Sequence, residues 1–156
     1  MSRLGDYFTS GQKQDTFDAT LVPGNIIRIE QCCFTKPPKR KYVALVGRDE
    51  NACLLFVVNS DPRLYIQGKP RLAECQVSLY KSDYDFLKKD VSYLNCAEVK
   101  DVLSAAEIAG ELAAGTARYM GSLTSETIEA IIAVMGISTT VMPWHKEIII
   151  NSLTWA

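Results

Sequence analysis

The sequence predicts a mainly β domain of the α+β class, in which a small antiparallel barrel or sandwich is followed by helices. Two features support this prediction. Short apolar runs, rich in β-branched residues, alternate with Pro- and Gly-containing turns through the first two thirds of the chain. Beyond residue 103 the apolar pattern changes to the spacing of three and four residues that is typical of a helix.

The predicted strands are separated by clear turn signals. Pro23-Gly24-Asn25 marks a turn, and the residues after it alternate roughly between apolar and polar. Residues 52–58 form the longest uninterrupted apolar run, and because this run is short and β-branched we interpret it as the central strand. Asp61-Pro62 ends it. The predicted strands cover residues 26–34, 41–47, 52–60, 72–80 and 92–99.

Two helices are predicted after these strands. Ser104 and Glu107 have the spacing of a capping box, and Gly115 suits the end of the first helix. Thr124 fits the N-cap of the second helix, which carries an apolar stripe that favours a core-facing side. Residues 147–153 are predicted either as a short extra strand or as a tail packed on the barrel. The stripe consists of Ile128, Ile131, Ile132 and Met135.

Length and composition exclude several classes of protein. A chain of 156 residues with 47% hydrophobic and 22% charged residues is typical of one globular domain, and not of a disordered chain or a coiled coil. The formal net charge of −1 gives no global positive field that would attract DNA or an anionic membrane. No apolar run approaches the ~20 residues of a membrane span, and the polar N-terminus lacks the apolar core of a secretory signal. We therefore expect a cytoplasmic protein without a membrane partner.

The cysteine and histidine content argues against a metal site. The chain has five cysteines, an odd number, with no C-x-x-C spacing and with apolar neighbours, so reduced core thiols are expected. His145 is the only histidine, which leaves too few soft ligands for zinc. We expect neither a metal nor another cofactor. The cysteines are Cys32, Cys33, Cys53, Cys75 and Cys96.

The segment from Lys36 to Lys41 is the most informative local feature. It places four cations within six residues of a chain whose net charge is slightly negative, and two prolines restrict its backbone. Such a loop suits phosphate groups, because guanidinium forks bind them in a bidentate manner and ammonium groups add point charge. The ordinary alternative is a solvated, solubilising loop.

A second polar group follows the central strand, at Asn59-Ser60-Asp61. Side chains at a strand end are held rigidly, and both Asn and Ser can donate hydrogen bonds to phosphate or ribose oxygens. The alternative is an ordinary turn, for which this composition is also typical. The standard sequence motifs of serine hydrolases, P-loop proteins, zinc proteases and dinucleotide-binding proteins do not occur.

The order of these segments resembles the PemK/MazF toxin superfamily. Residues 23–29 resemble the opening strand of that family, and residues 40–46 its Arg-Pro-x-Leu-Val strand. Residues 54–60 are similar to the following strand, which ends in Thr or Ser. Residues 87–99 and 120–124 are similar to two later segments, of which the second leads into a closing helix. The likeness covers residues 22–136, which leaves 1–21 as an N-terminal extension and 137–156 as a C-terminal tail packed on the domain.

The resemblance implies an SH3-like barrel with C-terminal helices, commonly a homodimer that is paired with a cognate antitoxin. Members of the family typically cleave single-stranded RNA without a metal. The catalytic Arg and Thr or Ser of the family correspond to Lys41, with Arg40 beside it, and to Ser60, with Asn59 beside it. This chain has Lys-Tyr where the family has Arg-Pro, and lysine does not form the bidentate fork of arginine.

The expected mechanism uses the 2′-hydroxyl of RNA as the nucleophile, so that the protein positions and neutralises the phosphate. Arg40 or Lys41 would stabilise the charge that develops on the phosphate, and Ser60 would hold the phosphate or the hydroxyl. We expect the cationic loop and this serine to converge on one concave surface, where the general base is unassigned. The alternative is a non-catalytic barrel that binds a protein or nucleic acid, for example to inhibit another enzyme. The residues predicted to bind RNA are Arg28, Lys36, Lys39, Tyr42 and Asn59.

Overall fold

The computed structural model describes residues 21–50 and 52–155 of the chain. Residues 1–20, which make up nearly all of the predicted N-terminal extension, lie outside the described residues. Six strands form one antiparallel sheet in the order β4-β5-β3-β2-β1-β6. The strands are β1 (Asn25–Cys32), β2 (Lys39–Asp49), β3 (Ala52–Asn59), β4 (Gln76–Tyr80), β5 (Val91–Asn95) and β6 (Ala117–Ser122).

Helices occupy the long connections and the C-terminal part. The two short ones lie between β3 and β4, a third lies between β5 and β6, and the last two follow the sheet. They are α1 (Arg63–Ile66), α2 (Pro70–Ala73), α3 (Ala105–Ala114), α4 (Ser125–Ile137) and α5 (Pro143–Thr154). The sheet curls into a half-barrel, which confirms the predicted mainly β, α+β class with an antiparallel barrel-like sheet and C-terminal helices.

Both faces of the sheet are buried, because successive side chains of a strand point to opposite faces. The face that carries Ala44, Phe56 and Leu94, here called the front face, packs against α4 and α5. The opposite rear face carries Val43 and Leu55 and packs against α3. The central strand β3 is therefore buried on both sides, which explains why its sequence is an unbroken apolar run.

The helix boundaries follow the predicted capping signals. The Ser104 hydroxyl accepts a hydrogen bond from the Glu107 backbone N–H, and the Glu107 carboxylate accepts one from the Ser104 N–H, so the capping box is present. Gly115 ends α3 with a positive φ of 81°, a conformation that favours glycine. The Thr124 side chain caps α4 by accepting from the Thr127 N–H at 3.2 Å.

The observed secondary structure differs from the predicted one mainly in four places. Residues 147–153 belong to helix α5 and not to an extra strand, because Pro143 opens a helix whose buried positions, Ile149 and Leu153, are four residues apart. Residues 72–75 are not part of β4, and β5 ends at Asn95 rather than at residue 99. Strand β6 was not predicted; it pairs with β1 and forms one edge of the sheet.

The cysteines are free thiols, as expected. Four of them are buried and Cys33 is exposed. Within the described residues no group of three or more His, Cys, Asp or Glu side chains is arranged to hold a metal ion. None of the helices in the described part of the chain combines the length and apolarity that crossing a bilayer requires.

Candidate functional site

The strand register brings a row of polar side chains together at one end of the sheet. Val43 pairs with Val57 across β2 and β3, and continuing this register places Arg40 opposite Ser60. The register between β3 and β5 likewise places Ser60 opposite Ser92. All of these positions belong to the front face, because each is separated by an even number of residues from Ala44, Phe56 or Leu94 on its own strand.

A cavity of about 320 Å³ opens at this row, and we call it the front cavity. Cations, hydroxyl groups and an aromatic ring line it, which is the chemistry that binds phosphate and base together. Four of the site residues predicted from the sequence line this cavity, namely Arg40, Lys41, Tyr42 and Ser60. Its lining residues are Arg40, Lys41, Tyr42, Val58, Ser60, Leu87, Lys88, Lys89 and Ser92.

Arg40 is positioned by an ion pair across β1 and β2. Its Nε donates to Glu30 Oε2 at 2.8 Å, and Arg28 Nε lies 2.9 Å from the other carboxylate oxygen. The hydrogen bond from Arg40, followed by the positive charges of both arginines, holds the pKa of Glu30 below its ordinary value. The Arg40 side chain is still 53% exposed, so it is oriented but accessible to a ligand.

Aromatic rings and further cations extend the front cavity. Tyr42 packs against Phe86 with a distance of 4.7 Å between the ring centroids. Lys88 and Lys89 are exposed at the rim of the front cavity, whereas Ser92 is buried and only 4% exposed. Sequence reasoning did not assign a binding role to Lys88, Lys89 or Ser92. The β4–β5 connection that carries the two lysines has no motif that predicts where it folds.

Lys41 is separated from Arg40 by the alternation of the strand. Its Nζ donates to Asn59 Oδ1 at 3.2 Å, and both side chains belong to the rear face together with Val43 and Val57. Lys41 borders the front cavity, but its amine is directed to the other side of the sheet. Burial, and secondarily the charge of Lys39, lowers the pKa of this amine. The structure thus brings Arg40 and Ser60 together and separates the Lys41 amine from them.

The remaining predicted RNA-binding residues are dispersed. Arg28 lies on the front face beside Tyr42, with which it pairs in the β1–β2 register, and its side chain is 21% exposed. Lys36 is exposed on the loop before β2 and Lys39 is exposed at the first position of β2, and neither lines the front cavity. The Thr35 hydroxyl closes this loop by accepting from the Lys39 N–H at 3.0 Å and donating to the Pro37 carbonyl at 3.0 Å.

The arrangement can bind a phosphodiester and stabilise negative charge on it. Arg40 offers a guanidinium and Ser60 a hydroxyl, from opposite positions of neighbouring strands. The front-cavity lining contains neither a histidine nor a carboxylate, and Glu30 is the carboxylate that contacts Arg40.

Comparison of the chain with models of protein families and with curated proteins gives no match.

Proposed function

We propose that this protein is a metal-independent endoribonuclease, which binds single-stranded RNA in the front cavity and acts in the cytoplasm as the toxin of a toxin–antitoxin pair. The observation that carries the proposal is that Arg40 and Ser60 line one cavity, at positions that face each other when the β2–β3 register is continued beyond its last paired residues. A guanidinium and a hydroxyl group on two paired strands form a rigid pair of donors for one phosphate group.

The proposed reaction uses the 2′-hydroxyl group of the RNA substrate as the nucleophile. The ribose 2′-oxygen attacks the adjacent phosphorus, the bond to the 5′-oxygen breaks, and a 2′,3′-cyclic phosphate and a 5′-hydroxyl are formed. Arg40 and Ser60 donate to the non-bridging oxygens, on which negative charge accumulates. Lys88 or Lys89 supplies the proton that the departing 5′-oxygen needs, and Tyr42 stacks on a neighbouring base.

Glu30 is the best candidate for the general base. Its carboxylate contacts Arg40, and its lowered pKa keeps it ionised at neutral pH, so it can accept the proton of the 2′-hydroxyl. A carboxylate with a low pKa is a weak base, and the acceleration would therefore come mainly from positioning and from charge stabilisation.

Cleavage of RNA in the presence of EDTA tests this proposal. The wild-type protein is expected to produce fragments with 2′,3′-cyclic phosphate and 5′-hydroxyl ends. Arg40→Ala and Ser60→Ala are each expected to lower the rate by about 100-fold or more, as the loss of one donor to a developing oxyanion does elsewhere. The matched controls are Arg71→Ala and Ser125→Ala, which change exposed residues outside the front-cavity lining. Intact RNA with the wild-type protein would contradict the catalytic proposal.

One observation favours a second candidate, a non-catalytic module that binds RNA or a protein and inhibits another enzyme. The front-cavity lining provides donors and cations but no group that accepts a proton readily at neutral pH. On this alternative the protein retards single-stranded RNA in a gel, or binds a protein partner, without cleaving RNA. Growth arrest with intact cellular RNA would favour the alternative.

The proposed partners are a cognate antitoxin and a second copy of this chain. An acidic segment of an antitoxin would complement the cationic lining of the front cavity. Co-expression of the adjacent small reading frame is expected to restore growth and to protect RNA. Light scattering of the purified protein is expected to give the mass of a homodimer, and the mass of a monomer would contradict that part of the proposal.

A further inference from the structure

The rear face of the sheet carries a second cavity, directly behind the front one. Its volume is about 350 Å³, and it contains the Lys41 amine that the strand alternation removes from the front cavity. We call it the rear cavity. Its lining includes Phe34, Lys41, Asn59, Tyr65 and Asn95.

The charges of the rear cavity leave one cation for a ligand. Lys100 pairs with Glu98 at 2.7 Å, and Asp61 pairs with Arg63 at 2.7 Å. Within the described residues Lys41 forms no salt bridge, and the partner of its amine is the neutral amide of Asn59. The cavity therefore retains a half-buried positive charge that suits a single anionic group, such as one phosphate.

The other groups of the rear cavity suit a planar, hydrogen-bonding ligand. Asn95 is 5% exposed, and its Oδ1 is held by the Gln76 Nε2 at 2.9 Å and by the Ala97 backbone N–H at 3.2 Å. Asn59 presents a second amide, and the rings of Phe34 and Tyr65 form half-buried walls. Fixed amides beside aromatic rings are the groups by which proteins bind an unpaired base.

A continuous surface connects the two cavities. A third cavity of about 430 Å³ shares Ser60 and Lys89 with the front cavity and shares Asp61 and Pro62 with the rear one. This bridging cavity follows the chain as it leaves β3 and turns into α1. A connected series of cavities around one end of the sheet fits a polymeric ligand better than a small molecule.

We propose that the rear cavity is a base-reading subsite for the same RNA strand whose phosphate lies in the front cavity. The amides of Asn59 and Asn95 read the edge of one base between Phe34 and Tyr65, and the Lys41 amine binds a phosphate of that nucleotide. This inference depends on the proposed binding of RNA in the front cavity. It assigns Lys41 and Asn59 to nucleotide selection, whereas Arg40 and Ser60 serve the scissile phosphate.

Binding of short RNA oligonucleotides that differ at one defined position tests the inference. Wild-type protein is expected to prefer one base over the others by about tenfold, the size of discrimination that a few hydrogen bonds to a base edge provide. Asn59→Ala is expected to remove most of this preference, and Asn151→Ala, which changes an exposed amide on α5, is expected to retain it. Arg40→Met is expected to weaken the binding of all sequences equally.

The outcomes separate the inference from the proposed function. If Arg40→Met weakens binding but Asn59→Ala keeps the full base preference, the rear subsite is wrong and the front-cavity proposal stands. If the wild type binds no RNA, both are wrong. Free mononucleotides that bind as tightly as the oligonucleotides would also overturn the inference, since the site would then serve a small molecule.

Photochemical crosslinking provides a readout that does not depend on a variant folding correctly. Wild-type protein irradiated with the preferred oligonucleotide is expected to give crosslinked peptides that contain Phe34 or Tyr65, identified by mass spectrometry. Crosslinks confined to the peptide that contains Tyr42 would contradict a rear subsite.

Discussion

Arg40 and Glu30 form a cross-strand ion pair that orients the Arg40 side chain at the candidate site. The guanidinium is bound through its Nε, and the carboxylate is shared with Arg28. Because Glu30 is a solvent-accessible residue, we expect this pair to contribute to orientation much more than to stability. The pair holds the Arg40 guanidinium in a defined position at the front cavity.

The pKa of Glu30 provides a test of this pair. Arg40→Met is expected to raise the pKa of Glu30 toward its ordinary value of 4.5, because the largest cause of the lowering is the hydrogen bond from Arg40. Titration of the side-chain carboxyl by NMR measures it, and Arg71→Met is the matched control. An unchanged pKa would show that Arg28 alone holds the carboxylate.

The lowered pKa of Glu30 makes the stability of the fold depend on pH in a defined direction. A carboxyl group whose pKa is lower in the folded state than in the unfolded state stabilises the folded state at pH values above the unfolded pKa of 4.5. This contribution is lost as the pH falls through the folded pKa. RNA cleavage that uses ionised Glu30 is therefore expected to persist down to weakly acidic pH. A rate that falls by tenfold for each unit below neutral pH would contradict the role of Glu30.

The period of a β-strand explains what sequence reasoning could and could not predict about these residues. The sequence predicts that Arg40 or Lys41 acts together with Ser60 and does not decide between the two cations, whereas the structure places Arg40 and Ser60 in the lining of one cavity and directs the Lys41 amine elsewhere. Adjacent residues of a strand point to opposite faces, so only one of them can lie on the same face as Ser60. The choice of Arg40 depends on the register of β2 against β3, which no local pattern specifies.

At the level of elements, α5 is an integral part of the fold. Ile149 and Leu153 are buried in the front-face core, and the helix passes close to β2 at Gly47. A Cβ atom added at Gly47 would lie 2.8 Å from Ile148 Cγ2, so the absence of a side chain there is what permits the close contact.

Two glycine substitutions test this packing. Gly47→Ala is expected to destabilise the protein by about 1–3 kcal/mol, because it overpacks the contact between β2 and α5. Gly110→Ala is the control: no atom lies within 4 Å of the added Cβ on α3, and alanine is expected to stabilise the helix by about 0.5–1 kcal/mol. Denaturant unfolding measures both. A neutral Gly47→Ala would contradict the close approach.

The elements that escaped prediction lack local signals of their own. Residues 117–122 contain two exposed residues in succession and no clear alternation, and they form β6 because β1 offers a free edge for pairing. The run Ile148-Ile149-Ile150 is typical of a strand, yet Pro143 and the spacing of His145, Ile149 and Leu153 produce a helix with one buried side. Tertiary context determines both cases.

For the whole molecule, a net charge of −1 combined with a cationic front cavity means that, on the proposed function, RNA would be attracted by the local and not by the global charge. Two exposed lysine pairs carry equal charge: Lys88 and Lys89 at the cavity rim, and Lys36 and Lys39 at the entry to β2. Only the first pair lines the front cavity, so the proposed function predicts that Lys88 and Lys89 contact RNA, although the sequence favoured Lys36 and Lys39.

Salt dependence distinguishes the two pairs. Replacing both Lys88 and Lys89 by Gln is expected to reduce the slope of log K against log salt for single-stranded RNA by about 1.4, at roughly 0.7 for each phosphate contact. The same change at Lys36 and Lys39 is expected to leave the slope nearly unchanged. Equal effects of the two double variants would contradict the assignment of the front cavity as the binding site.

A double-mutant cycle on cleavage tests the central claim most directly. Rates of metal-free RNA cleavage are measured for the wild type, Arg40→Ala, Ser60→Ala and the double variant. If both side chains serve one phosphate, each single change removes most of the activity and the double variant is little slower than either of them. Fully additive losses, or single variants as active as the wild type, would contradict a shared site on the paired strands.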